Sequence, residues 1–208
     1  MQVATRRSMR LEPVWADRVT VLAERAPAAT GRREIRADGT EWLVYRRRLR
    51  SAPDRVWAAL TDAGEARRWL GTWRPVGPGE VEFRYAFEGD DVLPLRCSVD
   101  ELVPRRRLAV TMQGPVADED PEHFELELRQ AVLHTGITEL TVAQSVSAVS
   151  AGDTVPHLAS GCEFYLDRLV ALLEGRDPSA LDFDDYFLRQ AEHYRTLFPT
   201  QRERTAGS

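Results

Sequence analysis

Apolar and polar residues alternate with a period of two through most of the chain from residue 32 to residue 148, and the period shifts to about 3.6 beyond residue 156. That shift predicts a run of strands followed by a long helix. The run GRREIRADGTEWLVYRRRLR reads as two strands turning at Asp38-Gly39, a pair suited to tight hairpins. In the second of these strands Leu43, Tyr45, Arg47 and Leu49 share one face, because successive side chains point to opposite sides. Arg47 is therefore expected to point inward.

Ser51 to Asp54 then supplies helix-start chemistry with Pro53 in the first turn, and Val56, Trp57 and Leu60 recur at helical spacing. A second short helix is predicted over Glu65 to Leu70, ending at Gly71. The stretch GTWRPVGPGE is predicted as loop. After it VEFRYAFE alternates, with Val81, Phe83, Tyr85 and Phe87 on one face. Four more strands are predicted in LPLRCSVDEL, RLAVTMQ, HFELELRQAVLH and ITELTVAQSVSA, separated by Pro104, by GPVADEDPE and by Thr135-Gly136.

From about Pro156, the residues Leu158, Cys162, Tyr165, Leu166, Leu169, Leu172 and Leu173 form a broad apolar stripe that Gly175 ends. A further helix carries Phe183, Phe187, Ala191, Tyr194 and Phe198 before Pro199. Ahead of the strands, Trp15, Val19 and Leu22 suit one amphipathic helix within Pro13 to Arg25, a segment whose valines also permit a short strand. The organisation expected is an N-terminal extension over 1–30 that ends in a linker, a main domain over 31–175, a helical extension over 176–198 and a disordered tail over 199–208.

Composition adds limits. At 208 residues, with 43% hydrophobic and 29% charged residues, the chain can bury one substantial core. No run approaches the length of a membrane span, and the N-terminus lacks the apolar centre of a signal peptide, so a cytoplasmic location is expected. Cys97 and Cys162 have no partner at zinc-type spacing, and His123, His134, His157 and His193 are scattered; neither a metal nor another cofactor is expected. The net charge of −5 is uneven. Residues 1–50 hold 12 arginines against 6 acids, and the remainder 16 against 27. Such an acidic body argues against nucleic acid as a partner.

The segment APDRVWAALTD at 52–62, followed by RWLG at 68–71, resembles the opening signature of the SRPBCC (START/Bet v 1-like) superfamily, in its heat-shock-protein-90 ATPase activator-like branch of bacterial type. VPRRRL at 103–108, TELTV at 138–142, and Gly161 with LDRL at 166–169 agree with it. The resemblance covers about residues 31–198. It implies an α+β helix-grip fold, in which a curved antiparallel sheet wraps a long C-terminal helix and two short helices follow the first core strand. Such members often carry an aromatic where Met112 ends its strand and an aromatic or histidine near Cys162 and Glu163, so a differently shaped interior is expected.

A cavity between sheet and helix is what this fold implies, and apolar cavities with a few polar groups take small molecules. The expected ligand-binding residues are Tyr45, Arg47, Phe83, Tyr85, Phe87 and Phe124 from the strands, Trp69 and Trp73 from the mouth, and Leu158, Cys162, Glu163 and Tyr165 from the helix. Arg47 is expected either to pair with an acid such as Glu163 or to hold a ligand's anionic group; Gln144, His134 and His157 are further polar candidates. Three functional readings stay open: a binding protein for a hydrophobic or amphipathic small molecule, a cofactor-independent cyclase or aromatase-like enzyme, and a protein-interaction or regulatory module. A homodimer is compatible with each.

Overall fold

The computed structural model describes residues 27–86, 88, 93–114, 120–132, 136–146 and 154–199. The helix expected within 13–25, Phe87, His134 and the tail beyond Pro199 lie outside the described residues.

Strands β1 (Arg32–Ile35) and β2 (Glu41–Leu49) form the expected hairpin. Its turn places Gly39 at φ 85°, a conformation that a side chain disfavours, and Asp38 accepts a hydrogen bond from the Thr40 amide at 2.9 Å. Helices α1 (Pro53–Thr61) and α2 (Ala63–Ala66) follow, the second capped by Asp62, whose carboxylate accepts from the Glu65 amide. The meander then runs through β3 (Gly71–Gly77), β4 (Glu80–Tyr85), β5 (Leu95–Val103), β6 (Arg107–Gln113), β7 (Glu122–Gln130) and β8 (Thr138–Val146). Helix α3 (Val155–Leu173) and helix α4 (Phe183–Leu197) follow the sheet.

The eight strands among the described residues belong to one antiparallel sheet in the order β1-β2-β8-β7-β6-β5-β4-β3. This is the α+β helix-grip fold. The predicted loop GTWRPVGPGE is a correction: its first seven residues are β3, paired with β4 as an edge strand. Pro75 is tolerated there because an edge strand leaves one row of backbone groups without a neighbour, and a register shift follows it. Composition read as loop was therefore an edge.

The predicted face of β2 is present, since Leu43, Tyr45 and Leu49 are all buried on the side that meets α3. The opposite face is closed differently. Trp42, Val44 and Ala143 make a small cluster there, and the Arg36 guanidinium lies 3.4 Å from the Trp42 ring centre. Along the same convex face Arg46, Arg48 and Arg129 pair with Glu34, Glu139 and Glu127, so the outward arginines form a solvated charge ladder.

Helix α3 packs on β2, α1 and α4. It ends where Gly175, at φ 72°, returns its amide to the Leu172 carbonyl. Helix α4 starts at Asp182, whose carboxylate accepts from the Asp184 amide at 3.0 Å, and two acids in its first turn suit the helix dipole. Its buried residues are Tyr186, Gln190, Ala191 and Tyr194, with Phe198 closing the end. The expected stripe is thus rotated by about one position, and Phe183 and Phe187 are only half-buried.

Candidate functional site

Among the described residues, a polar cluster and a largely apolar floor face the interior. The first is built on Glu163, which α3 carries on its buried side at 1% exposure. A buried carboxylate is costly unless its oxygens are satisfied, and this one is surrounded by donors. Arg47 donates through Nη2 to Oε2. Onto Oε1 converge the Thr30 amide at 2.5 Å, the Gly31 amide at 2.9 Å and the Tyr194 hydroxyl at 2.6 Å. Thr30 Oγ1 lies 3.0 Å from both carboxylate oxygens and also meets Arg47 Nη1. Asp167 Oδ1 is 3.7 Å from Arg47 Nε, and the Tyr186 hydroxyl donates to Asp167 Oδ2 at 3.0 Å.

The electrostatics follow from this geometry. Burial would lower the Arg47 pKa, but the charge of Glu163 and its hydrogen bond override that and hold it above its usual value. Burial, reinforced by Glu163, raises Tyr194. Burial raises Asp167 against the opposing pull of Arg47. The inward direction of Arg47 and its pairing with Glu163 are as expected. Residues 27–31, expected as a linker, are instead tied down, because Gln190 Nε2 also donates to the Pro27 carbonyl at 3.0 Å.

The second system is the concave floor of β4 to β7. Register places Val81, Phe83, Tyr85, Cys97, Val99, Val110, Met112, Phe124 and Leu126 on the same side as Leu43 and Tyr45. Only Phe83 and Cys97 of that set are fully buried; the others are half-buried. Glu122 opposite Met112 and Gln144 opposite Phe124 add the polar groups of this floor. Gln144 is 3% exposed; its Nε2 donates to Glu122 Oε2 at 3.3 Å, while its Oε1 is buried with no hydrogen-bond partner.

Above the floor, Tyr165 of α3 stacks on Tyr85 with ring centres 5.2 Å apart and donates its hydroxyl to Glu88 Oε1 at 3.2 Å. Phe83 meets Tyr85 edge-on at 4.8 Å. Burial, followed by the charges of Glu122 and Glu88, keeps the Tyr85 phenol protonated. Burial and then the Glu163 charge push the Cys162 thiol up to about 12, with Glu122 contributing in the same direction. Both groups are neutral at ordinary pH.

The remaining expected residues divide. Tyr45 is sealed in the core, where its hydroxyl donates to the Ala159 carbonyl at 3.3 Å. Trp69, expected at the mouth, is corrected to a core position at 4% exposure, with Nε1 donating to the Ala59 carbonyl at 2.8 Å. Trp73 is half-buried on edge strand β3 opposite Phe83. Leu158 and Cys162 are half-buried on α3. His157 is exposed and stacks on Phe187, ring centres 4.0 Å apart, so it faces α4 rather than the floor. Thr30, Gly31, Tyr194 and Glu122 were not foreseen. For Glu122 a signal existed, since it follows Pro121 at a strand start on the alternation of Phe124 and Leu126; the other three meet Glu163 from distant parts of the chain.

Among the described residues no group of His, Cys, Asp and Glu is arranged to hold a metal ion, and no helix is long and apolar enough to cross a membrane. A model of the family described as Activator of Hsp90 ATPase homolog 1-like protein matches residues 50–174. Among solved structures, CalU16 from Micromonospora echinospora superposes with a TM-score of 0.61 at 20% identity, over 82% of this chain and 97% of that one. DynU16, described as belonging to the dynemicin biosynthetic locus, gives 0.54 at 23% identity over 66% and 49%. The Aha1 dimer from Colwellia psychrerythraea gives 0.52 at 17% identity over 64% and 96%. At these identities the neighbours establish the fold. No curated protein matches the chain.

Proposed function

The chain belongs to the Activator of Hsp90 ATPase homolog 1-like family, within the SRPBCC superfamily, and we propose that it binds a hydrophobic or amphipathic small molecule on the concave floor of β4 to β7 beneath α3. The observation that carries this reading is the incomplete burial of an inward apolar face. Val110, Met112, Phe124 and Leu126 point to the same side as the sealed core and yet stay half-buried. Apolar area left partly in water gains free energy when a ligand covers it, on the order of 25 cal/mol per Å². Polar groups at the floor's edge, Gln144 and Glu122, would fix the ligand's orientation. That DynU16 is described from a biosynthetic locus accords with a small-molecule partner.

The test is titration with the neutral fluorophore N-phenyl-1-naphthylamine, followed by its emission. Saturable enhancement at one site per chain is expected, together with its loss in Met112→Glu at an unchanged unfolding midpoint. Absence of saturable binding to the wild type would overturn the reading.

A further inference from the structure

Building on that binding reading, we infer that the floor selects ligands in which the apolar body carries a protonated amine, and that Gln144 and Glu122 are the residues that recognise it. Gln144 supplies the first argument. Its carboxamide is buried, and the hydrogen bond from Nε2 to Glu122 fixes which end faces away from that carboxylate. The end left over is an acceptor, Oε1, with nothing donating to it. A buried acceptor without a donor costs free energy that a donor on the ligand restores.

Charge supplies the second argument. Among the described strand residues, the arginines on the concave face are Arg33 and Arg47, and both are engaged, by Glu41 and by Glu163. Arg47, a plausible holder of a ligand carboxylate from sequence alone, is thus committed to the protein. The carboxylates of the floor and its rim are Glu122 and Glu88; of the cations, Arg47 acts on Cys162 from its pair with Glu163, and Arg168 of α3 acts on Tyr165 while its Nε donates to the Trp69 carbonyl. Glu122 acts on both the Tyr85 phenol and the Cys162 thiol, and Glu88 acts on Tyr85 from the rim. A carboxylate ligand would be repelled by Glu122, a neutral alcohol would donate to Gln144 Oε1, and an ammonium would donate to Gln144 Oε1 and also be attracted by the Glu122 charge beside it.

Displacement of N-phenyl-1-naphthylamine by four compounds of one shape tests this: 1-naphthylmethylamine, 1-naphthylmethanol, 1-methylnaphthalene and 1-naphthoate, near neutral pH. The expected order of affinity is amine, alcohol, hydrocarbon, carboxylate, with about tenfold or more between the first and the last. In Glu122→Gln the amine should lose its advantage over the alcohol. In Gln144→Leu both should approach the hydrocarbon. The wild-type order requires no variant, so a poorly folding Gln144→Leu leaves the test intact. Equal affinities, or a preference for the carboxylate, would overturn the inference and leave the binding reading standing. Failure of the fluorophore and of all four compounds to bind would remove both.

Discussion

One sheet presents two unlike halves to the same helix. Across β2 and β8 the inward residues Leu43, Tyr45 and Leu140 are at 0%, 0% and 1% exposure. Across β6 and β7 the inward residues Val110, Met112, Phe124 and Leu126 are half-buried, although their alternation is just as regular. Pairing is continuous between the two halves, so the difference lies above the sheet. Over the first half α3 is reinforced by α4, by residues 27–31 and by the Glu163 ion cluster. The second half has the stacked pair Tyr85 and Tyr165 at its edge. Alternation therefore specifies which way a side chain points; closure depends on which elements cross over it.

The largest effect should come from breaking the closure of the sealed half. Glu163→Leu leaves the Arg47 guanidinium, two backbone amides and the Tyr194 hydroxyl without their shared acceptor, and should cost about 3–5 kcal/mol in urea unfolding. Arg47→Met, which leaves Glu163 its other donors, should cost less, about 3 kcal/mol. If both variants unfolded like the wild type, the cluster would not hold this half closed.

A matched pair of truncations compares the halves directly. Leu43→Ala empties space in close-packed core and should cost about 2–5 kcal/mol. Leu126→Ala removes the same atoms from a half-buried site and should cost about 1 kcal/mol, while weakening fluorophore binding. Equal costs would show the open half to be as tightly packed as the other. Between these two falls Gly31→Ala. A Cβ at Gly31 would stand 2.7 Å from both the Tyr194 hydroxyl and the edge of the Tyr45 ring, so overpacking by about 1–3 kcal/mol is expected in the same denaturant assay.

How much of this was readable beforehand depended on the range of the interaction. The strands β1, β2 and β4 to β8 and helix α3 follow from periods within a single element, and the inward direction of Arg47 followed from three apolar neighbours on its own strand face. The partners of Glu163 could not be read that way, because Thr30 lies 133 residues away and Tyr194 31 residues away. Trp69 shows the complementary failure. A glycine- and proline-rich neighbour suggested a mouth, but its indole N–H found a carbonyl in α1 and the ring was buried. Strand β3 was hidden by the same composition, since an edge strand needs fewer β-forming residues than a central one.

The least of the expected effects concerns pH, and it also separates the halves. Asp167 belongs to the sealed half and Glu88 to the rim of the open one, and burial raises the pKa of each above its ordinary carboxylate value. Such a group binds its proton more tightly in the folded than in the unfolded chain. Below its ordinary value it is protonated in both states and contributes nothing to the pH dependence. Between that value and its raised folded value the unfolded chain ionises first, so stability falls as pH rises; above the folded value the penalty is complete. Asp167 is opposed by Arg47 and by the Tyr186 hydroxyl, Glu88 by the Tyr165 hydroxyl alone. Asp167→Asn and Glu88→Gln should each flatten the decline in urea midpoint across the mildly acidic range. Adding a saturating naphthylmethylammonium should alter the slope of the wild type and not that of Glu88→Gln if Glu88 borders the bound amine. A ligand effect identical in both proteins would place the amine away from this rim, and a midpoint that rose with pH in the Asp167→Asn background alone would show that Asp167 accounts for most of the decline.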